Sequence, residues 1–226
     1  MSSTNQTVNG VSIEDIVNSQ EIPFDLVQRV AFRKVKAPEI AILPPDPQWV
    51  ERFKTLKARI ETVLQDSNAI SILAINHIGS TSVPNLPAKA VIDIDLVLSD
   101  NTLSAEPHYV PQLEAAGFQF LLREPAWHEH RFFAGHEPMS CNLHVFGPHC
   151  AEVERHRIFR DRLKEHEDDR KLYAKTKMDC AAASREKNEI MDQYTARKQE
   201  VLRGILDRAF RGLGYLDEGQ QHDVAA

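Results

Sequence analysis

The sequence predicts an α+β domain, a β-sheet flanked by helices and followed by a C-terminal helical segment. Strand-like runs crowd the stretch before Gly147, at Ile70 to Ile78, Ala90 to Leu98, Phe118 to Leu122, His130 to Phe133 and Asn142 to Phe146. From Ala151 to Leu213 the apolar residues, among them Phe159, Leu163, Tyr173, Ile190, Tyr194, Leu202, Leu206 and Phe210, fall at mostly helical intervals instead. A hydrophobic content of 42% over 226 residues suffices to close one core without disulfides or metals.

Taken in order, residues 1–37 read as a partly disordered N-terminal extension with a short helix. Met1 to Val11 is a polar, solvated stretch. Two apolar-periodic pieces follow, Ile13-Ile16-Val17 and Phe24-Leu26-Val27-Val30-Phe32, divided by Pro23 and read together as a peripheral helical extension. The main domain is expected over 38–215, with its sheet core in 38–147 and its helical part in 150–213. Ile40 to Leu43, set between Pro38 and the Pro44-Pro45-Asp46-Pro47 cluster, fits a short edge strand. Gln48 to Gln65 is a helix that places Trp49, Phe53, Leu56, Ile60, Val63 and Leu64 on the sheet, with Asp46 in a capping position ahead of Pro47. Val110 to Ala116 is a shorter helix stopped by Gly117. Residues 216–226 read as a flexible tail.

Composition excludes several classes. Cys141, Cys150 and Cys180 are odd in number and lack metal-ligand spacing, which favours a reducing, cytoplasmic setting over a disulfide framework. The first residues lack the basic start and apolar run of a secretory signal. No apolar stretch reaches the ~20 residues of a membrane span, so no membrane partner is expected. A formal net charge of −6 argues against nucleic acid as partner, while leaving room for a local basic face that holds a small anion.

The chemistry candidates gather around one loop. In Val91-Ile92-Asp93-Ile94-Asp95-Leu96-Val97 the period of a strand sends Asp93 and Asp95 to one face and Ile92, Ile94 and Leu96 to the other. Two adjacent carboxylates repel unless a cation lies between them, and hard oxygen ligands suit Mg²⁺ or Mn²⁺. The alternative is an ordinary alternating strand with a solvated face. Upstream, Gly79, Ser80, Thr81 and Ser82 form a small hydroxyl-rich turn whose backbone N–H groups suit a phosphate, against the alternative of a plain turn. Turn, intervening Lys89 and paired aspartates together match what metal-assisted phosphoryl or nucleotidyl transfer requires.

His77 and His144 would approach the carboxylates if their strands neighbour one another, as metal ligands, general bases or phosphate donors; a structural histidine is the alternative for each. Arg131, Lys89, Lys177, Tyr194 and Lys198 are candidates for a basic wall around a substrate phosphate. Tyr173/Lys177 and Tyr194/Lys198 share an i, i+4 spacing that puts both members on one helix face, although a solvated charged face explains them too. His128 and His130 flank Glu129 without a third fixed ligand and carry no site. A serine hydrolase is disfavoured because the turn lacks the Gly-x-Ser-x-Gly elbow.

The stretch His77-Ile78-Gly79-Ser80-Thr81-Ser82-Val83-Pro84, with Leu86, Ala88-Lys89 and Ile92-Asp93-Ile94 after it, resembles the signature of the GrpB family (UPF0157), within the nucleotidyltransferase-fold superfamily. Looser likeness runs from about Ile40 through Leu43 to Trp49, then Asn142 to Val145, Phe159-Arg160-Asp161, Tyr173 to Lys177 and Tyr194 to Lys198. The resemblance implies a mixed sheet of the polymerase-β type, Gly79 and Ser80 gripping a triphosphate, and Asp93 and Asp95 holding Mg²⁺. Where the superfamily pattern expects a third carboxylate, the matching strand offers Asn142 and His144, a departure that puts two-metal catalysis in doubt. Asn76, Asn85 and Ala90 stand where relatives lead one to expect glutamate, glycine and proline. The implied activity is transfer from a nucleoside triphosphate to a small-molecule acceptor. A nucleotide- or phosphate-binding module without turnover, and the same pocket turned to another group transfer or condensation with His144 as acid or base, are the alternatives.

Overall fold

The computed structural model describes residues 6–19, 26–36, 38–65, 67–187 and 191–217. A six-stranded sheet forms the centre, built from β3 (Gln28–Arg29), β4 (Ile72–Ile78), β5 (Ile92–Leu98), β6 (Gln119–Glu124), β7 (His130–Gly135) and β8 (Cys141–Phe146) in the order β3-β6-β7-β8-β5-β4. The sheet is mixed, because β5 and β8 run parallel while every other pair is antiparallel.

The alternation in β5 divides the molecule into layers. Ile92, Ile94, Leu96 and Leu98 are wholly buried on one face, where Trp49, Leu56, Ile60 and Leu64 of α2 (Gln48–Leu64) and Leu113 of α3 (Val110–Ala115) pack against them. Each such side chain contributes roughly 1.5–3 kcal/mol by leaving water. Asp46 Oδ1 accepts the amide of Gln48 at 2.9 Å, supplying the expected cap, and Gly117 ends α3 at φ +88°. The other face carries Asp93 and Asp95 and lies under α4 (Ala151–Glu165), α5 (Glu167–Glu186), α6 (Met191–Arg197) and α7 (Gln199–Gly212).

The N-terminal residues differ from expectation. Thr7–Val8 (β1) and Val11–Ser12 (β2) form a hairpin, not a solvated tail, turning through Asn9 and Gly10 at φ 52° and 80°. Asn-Gly suits such a turn because both positions need positive φ. A side chain at Gly10 would meet the His149 ring, 2.2 Å from its Nδ1. Val11, with Ile16 and Val17 of α1 (Ile13–Val17), joins Ala151, Ile158, Leu206, Ala209 and Phe210 in a second apolar cluster. The second apolar piece is an edge strand and not a helix: Val30 and Ala31 donate their amides to Leu121 O, and pairing with the sheet overrides the local helical pattern. Of that piece, Phe24 lies outside the described residues, as does most of the expected C-terminal tail. Ile40 to Leu43 shrinks to a bridge between Leu43 and Ala88, with Pro44, Pro45 and Pro47 unable to extend the pairing. Among the described residues no helix is long and apolar enough to cross a membrane.

Candidate functional site

A cleft of about 230 Å³ opens between the sheet and the C-terminal helices, lined by Ser80, Lys89, Val91, Asp93, Asn142, Lys177, Tyr194, Thr195 and Lys198. Its floor comes from the sheet. Asp93 and Asn142 are register partners on β5 and β8, and Asn142 Nδ2 donates to Asp93 Oδ1 at 2.8 Å. Gly79 closes the turn after β4 at φ +65°, and a Cβ there would stand 2.4 Å from Asp93 Oδ2. Glycine therefore lets the turn's backbone approach the carboxylate. Burial raises the pKa of Asp93, while the Asn142 hydrogen bond and nearby Lys89 oppose that rise.

The opposite wall is cationic. Lys177 of α5 is only 2% exposed, donates to Pro87 O at 2.6 Å and lies 4.8 Å from the centroid of the Tyr173 ring. Lys198, at the start of α7, lies 4.3 Å from that of Tyr194. The two i, i+4 pairs thus build the same device twice, an ammonium over the ring four residues before it, within α5 for Lys177 and across the junction of α6 and α7 for Lys198. Burial, then the charge of Lys198, brings Lys177 down to about 7, and burial, then Lys89, brings Lys198 down to about 8. Lys89 is also lowered, by burial first. Cations crowded together out of water in this way gain most from an anion among them. Ser80 shares a side-chain hydrogen bond with Tyr173, tying the turn to α5.

Asp95 points to the same side of β5 but stands beneath α4 and has no exposed surface. His156 Nδ1 of α4 lies 2.9 Å from its Oδ2 and 3.2 Å from its Oδ1, and the ring's Nε2 lies 3.3 Å from Glu152. Burial alone would discharge this imidazole, yet the carboxylates on either side outweigh it and hold its pKa well above the ordinary value. The charged ring, and not a metal shared with Asp93, is the partner of both Asp95 oxygens. Among the described residues no group of three or more His, Cys, Asp or Glu is arranged to hold a metal. As a hard oxygen donor in the cleft, Asp93 would suit Mg²⁺ or Mn²⁺, whereas Asp95, both of whose oxygens are bonded to His156, does not fit as a second ligand to the same ion.

Other expected residues take structural places. Arg131 faces the α2 layer and is fully buried, bonded to Glu106 and Glu129, so it is no part of the basic wall. His77 lies across from Ile94 on that same layer, stacked on Phe53 with centroids 4.6 Å apart; its Nε2 is 3.0 Å from Thr81 Oγ1. Burial, then Lys164 and Arg160, takes its pKa down to about 4, leaving a neutral ring that latches the turn. Thr81 and Ser82 are buried and bond to Val91 O and Gly79 O, so of the three hydroxyls in this turn Ser80 is the one that lines the cleft. His144 shares the aspartates' face but pairs with His130 at 3.0 Å, and burial first brings it down to about 3. That leaves it outside the cleft lining and ill placed as an acid.

Sequence reasoning missed His156 and Glu152, although their i, i+4 spacing is the same signal that marked the lysines. Thr195 carried no signal of its own.

Comparison with known proteins adds the following. A family model described as GrpB protein matches residues 39–208. A UPF0157 protein of Halalkalibacterium halodurans is 36% identical over 199 residues, covering 87% of this chain and 97% of that one. The crystal structure of a conserved GrpB protein from Enterococcus faecalis superposes with a TM-score of 0.66 at 24% identity, over 77% of this chain and 99% of that one. A dephospho-CoA kinase of Mycolicibacterium paratuberculosis is 29% identical over 108 residues, 46% of this chain and 25% of that protein.

Proposed function

The chain belongs to the GrpB family, and from that premise we propose that it is a group-transfer enzyme of the nucleotidyltransferase type, with a polymerase-β-like sheet, that moves a nucleotidyl group from a nucleoside triphosphate to a small-molecule acceptor. One observation carries the reading: Lys89 from the loop ahead of β5, Lys177 from α5 and Lys198 from the turn before α7 converge with Ser80 on Asp93 in one cleft. The local likeness to a dephospho-CoA kinase, an enzyme name that implies a phosphate-bearing substrate, is in keeping with it.

In this reading the lysines neutralise the phosphates, and Ser80 with the turn beside Gly79 fixes their position. Asp93 holds Mg²⁺ or Mn²⁺, which when bound supplies charge neutralisation on the phosphate oxygens. The acceptor's oxygen bonds to the α-phosphorus, the α–β bridging bond breaks, pyrophosphate leaves and the acceptor's proton passes to water. Asp95 acts through the fold, because His156 takes both its oxygens.

The test is titration of MgATP and the other nucleoside triphosphates into wild type and Lys177→Met/Lys198→Met, followed by a pyrophosphate assay with an acceptor panel. Binding lost in the variant and pyrophosphate released by wild type support the reading; no binding by wild type sinks it. A second reading, a nucleotide-binding module without turnover, is favoured by the Asp95–His156 pair and by Asn142 in place of a third carboxylate. Binding without pyrophosphate release across the panel selects it.

A further inference from the structure

One more cation reaches the site from ahead of the segment that matches the family model. Arg33 follows the edge strand β3, and the Gln119 side chain brackets it: Nε2 donates to Phe32 O at 2.8 Å and Oε1 accepts the amide of Lys34 at 2.9 Å. With the backbone held on both sides, the guanidinium lies over the Phe132 ring, Cζ 5.5 Å from its centroid, and Nη2 donates to Asn142 Oδ1 at 3.3 Å. Asn142 in turn donates to Asp93. The guanidinium therefore stands one amide away from the carboxylate at the centre of the cleft.

A guanidinium offers five N–H donors in a planar fork. Among the described residues Arg33 uses one of them, in a long bond, and has no carboxylate partner. By contrast Arg123 and Arg131 share Glu106, Arg155 pairs with Glu152 and Arg162 with Asp169. Burial holds the pKa of Arg33 below its ordinary value, and its charge weighs on Lys89. A half-buried, rigidly placed and unpaired cation on an aromatic face matches the demands of a planar oxyanion, which it can grip with two parallel hydrogen bonds. The lysine wall already serves the phosphates from the helical side.

We propose that Arg33 recognises a carboxylate on the acceptor, so that the second substrate is a small carboxylic acid whose acid group lies in the guanidinium fork and whose body rests on Phe132. This rests on the reading of the cleft as a transferase site. It makes residues ahead of the family segment a determinant of acceptor choice.

The test is saturation-transfer NMR of the full chain with small carboxylic acids, each paired with its primary carboxamide, with and without saturating MgATP. Wild type, Arg33→Met and Arg33→Lys are compared, and MgATP affinity is measured for all three. The expected result is binding of acids over their amides by wild type, at least tenfold weaker in Arg33→Met and partly kept in Arg33→Lys, with MgATP affinity unchanged. Equal binding of acids and amides by wild type, or undiminished acid binding by Arg33→Met, overturns the proposal. So does a parallel loss of MgATP affinity in Arg33→Met, which would assign Arg33 to the phosphates. Acid binding through Arg33 in a wild type that binds no nucleotide would leave the carboxylate site standing and remove the transferase reading.

Discussion

Asp95 and His156 form an ion pair beneath α4, with the imidazole Nδ1 bonded to both carboxylate oxygens and Glu152 on the ring's far nitrogen. A fully buried carboxylate without a partner is costly, so the pair fixes the seating of α4 on β5. His156→Leu is expected to lose about 3 kcal/mol of stability in urea denaturation. Asp95→Leu/His156→Leu, which removes both charges, is expected to recover part of that loss. A double variant as unstable as the sum of the singles would show that the two residues do not act as a pair.

At Gly79 the positive φ and the nearness of Asp93 Oδ2 act together. Gly79→Ala is expected to cost about 2 kcal/mol through backbone strain and displacement of the carboxylate, and to weaken phosphate binding. Ser80→Ala meets neither obstacle. Its stability is expected to stay within about 1 kcal/mol of wild type while its affinity falls. Thermal melts and titrations on the two variants separate strain from contact.

The lysine wall predicts a proton flow. Lys177, at about 7, and Lys198, at about 8, hold fewer protons at pH 8 than lysines in water, and an anion that restores their charge must draw protons in. Calorimetry at pH 8 in buffers of different ionisation heat is expected to show uptake on the order of one proton per nucleotide, fading towards pH 6 where both lysines are already charged. Absence of uptake at pH 8 would remove the lysines from the ligand. The same depression acts on the free protein: between these values and the ordinary 10.5 the unfolded chain binds more protons, so this contribution to stability rises with pH across that window.

Arg131 and Lys177 both belong to the basic wall that the sequence suggests, and the structure separates them. Arg131→Met leaves Glu106 short of a buried partner and is expected to lose about 3 kcal/mol while nucleotide affinity holds. Lys177→Met is expected to weaken affinity at least tenfold. The same pair of measurements, denaturation and titration, reads both, and a reversed pattern would contradict the site.

Much of this was legible in the residues. The helix 48–64, the strands around Asp93 and the turn at Gly79 announce themselves by period and punctuation, and the paired Tyr/Lys spacing marks residues of the cleft's cationic wall. What the period cannot carry is depth. It puts Asp93 and Asp95 on one face, but only α4 laid across that face makes one a cleft residue and the other a buried anion. His77 and Arg131 were misassigned because their face follows from strand register, fixed by pairings between distant segments. The edge strand at Gln28–Arg29 reads as helix in the sequence because two residues are too few for an alternation to outweigh the helical spacing around them.

The cluster that joins Val11 and Ile16 to Leu206 and Phe210 unites segments far apart in the sequence. During synthesis the ribosome delivers the hairpin well before α7, and until α7 emerges the hairpin's apolar side has only part of its eventual neighbours. Those arrive with α7, the helix that begins beside Lys198. One wall of the cleft and the remaining cover over Val11 and Ile16 are therefore supplied by the same helix, so a nascent chain short of α7 would carry a finished sheet, a bare apolar seam and an incomplete cleft.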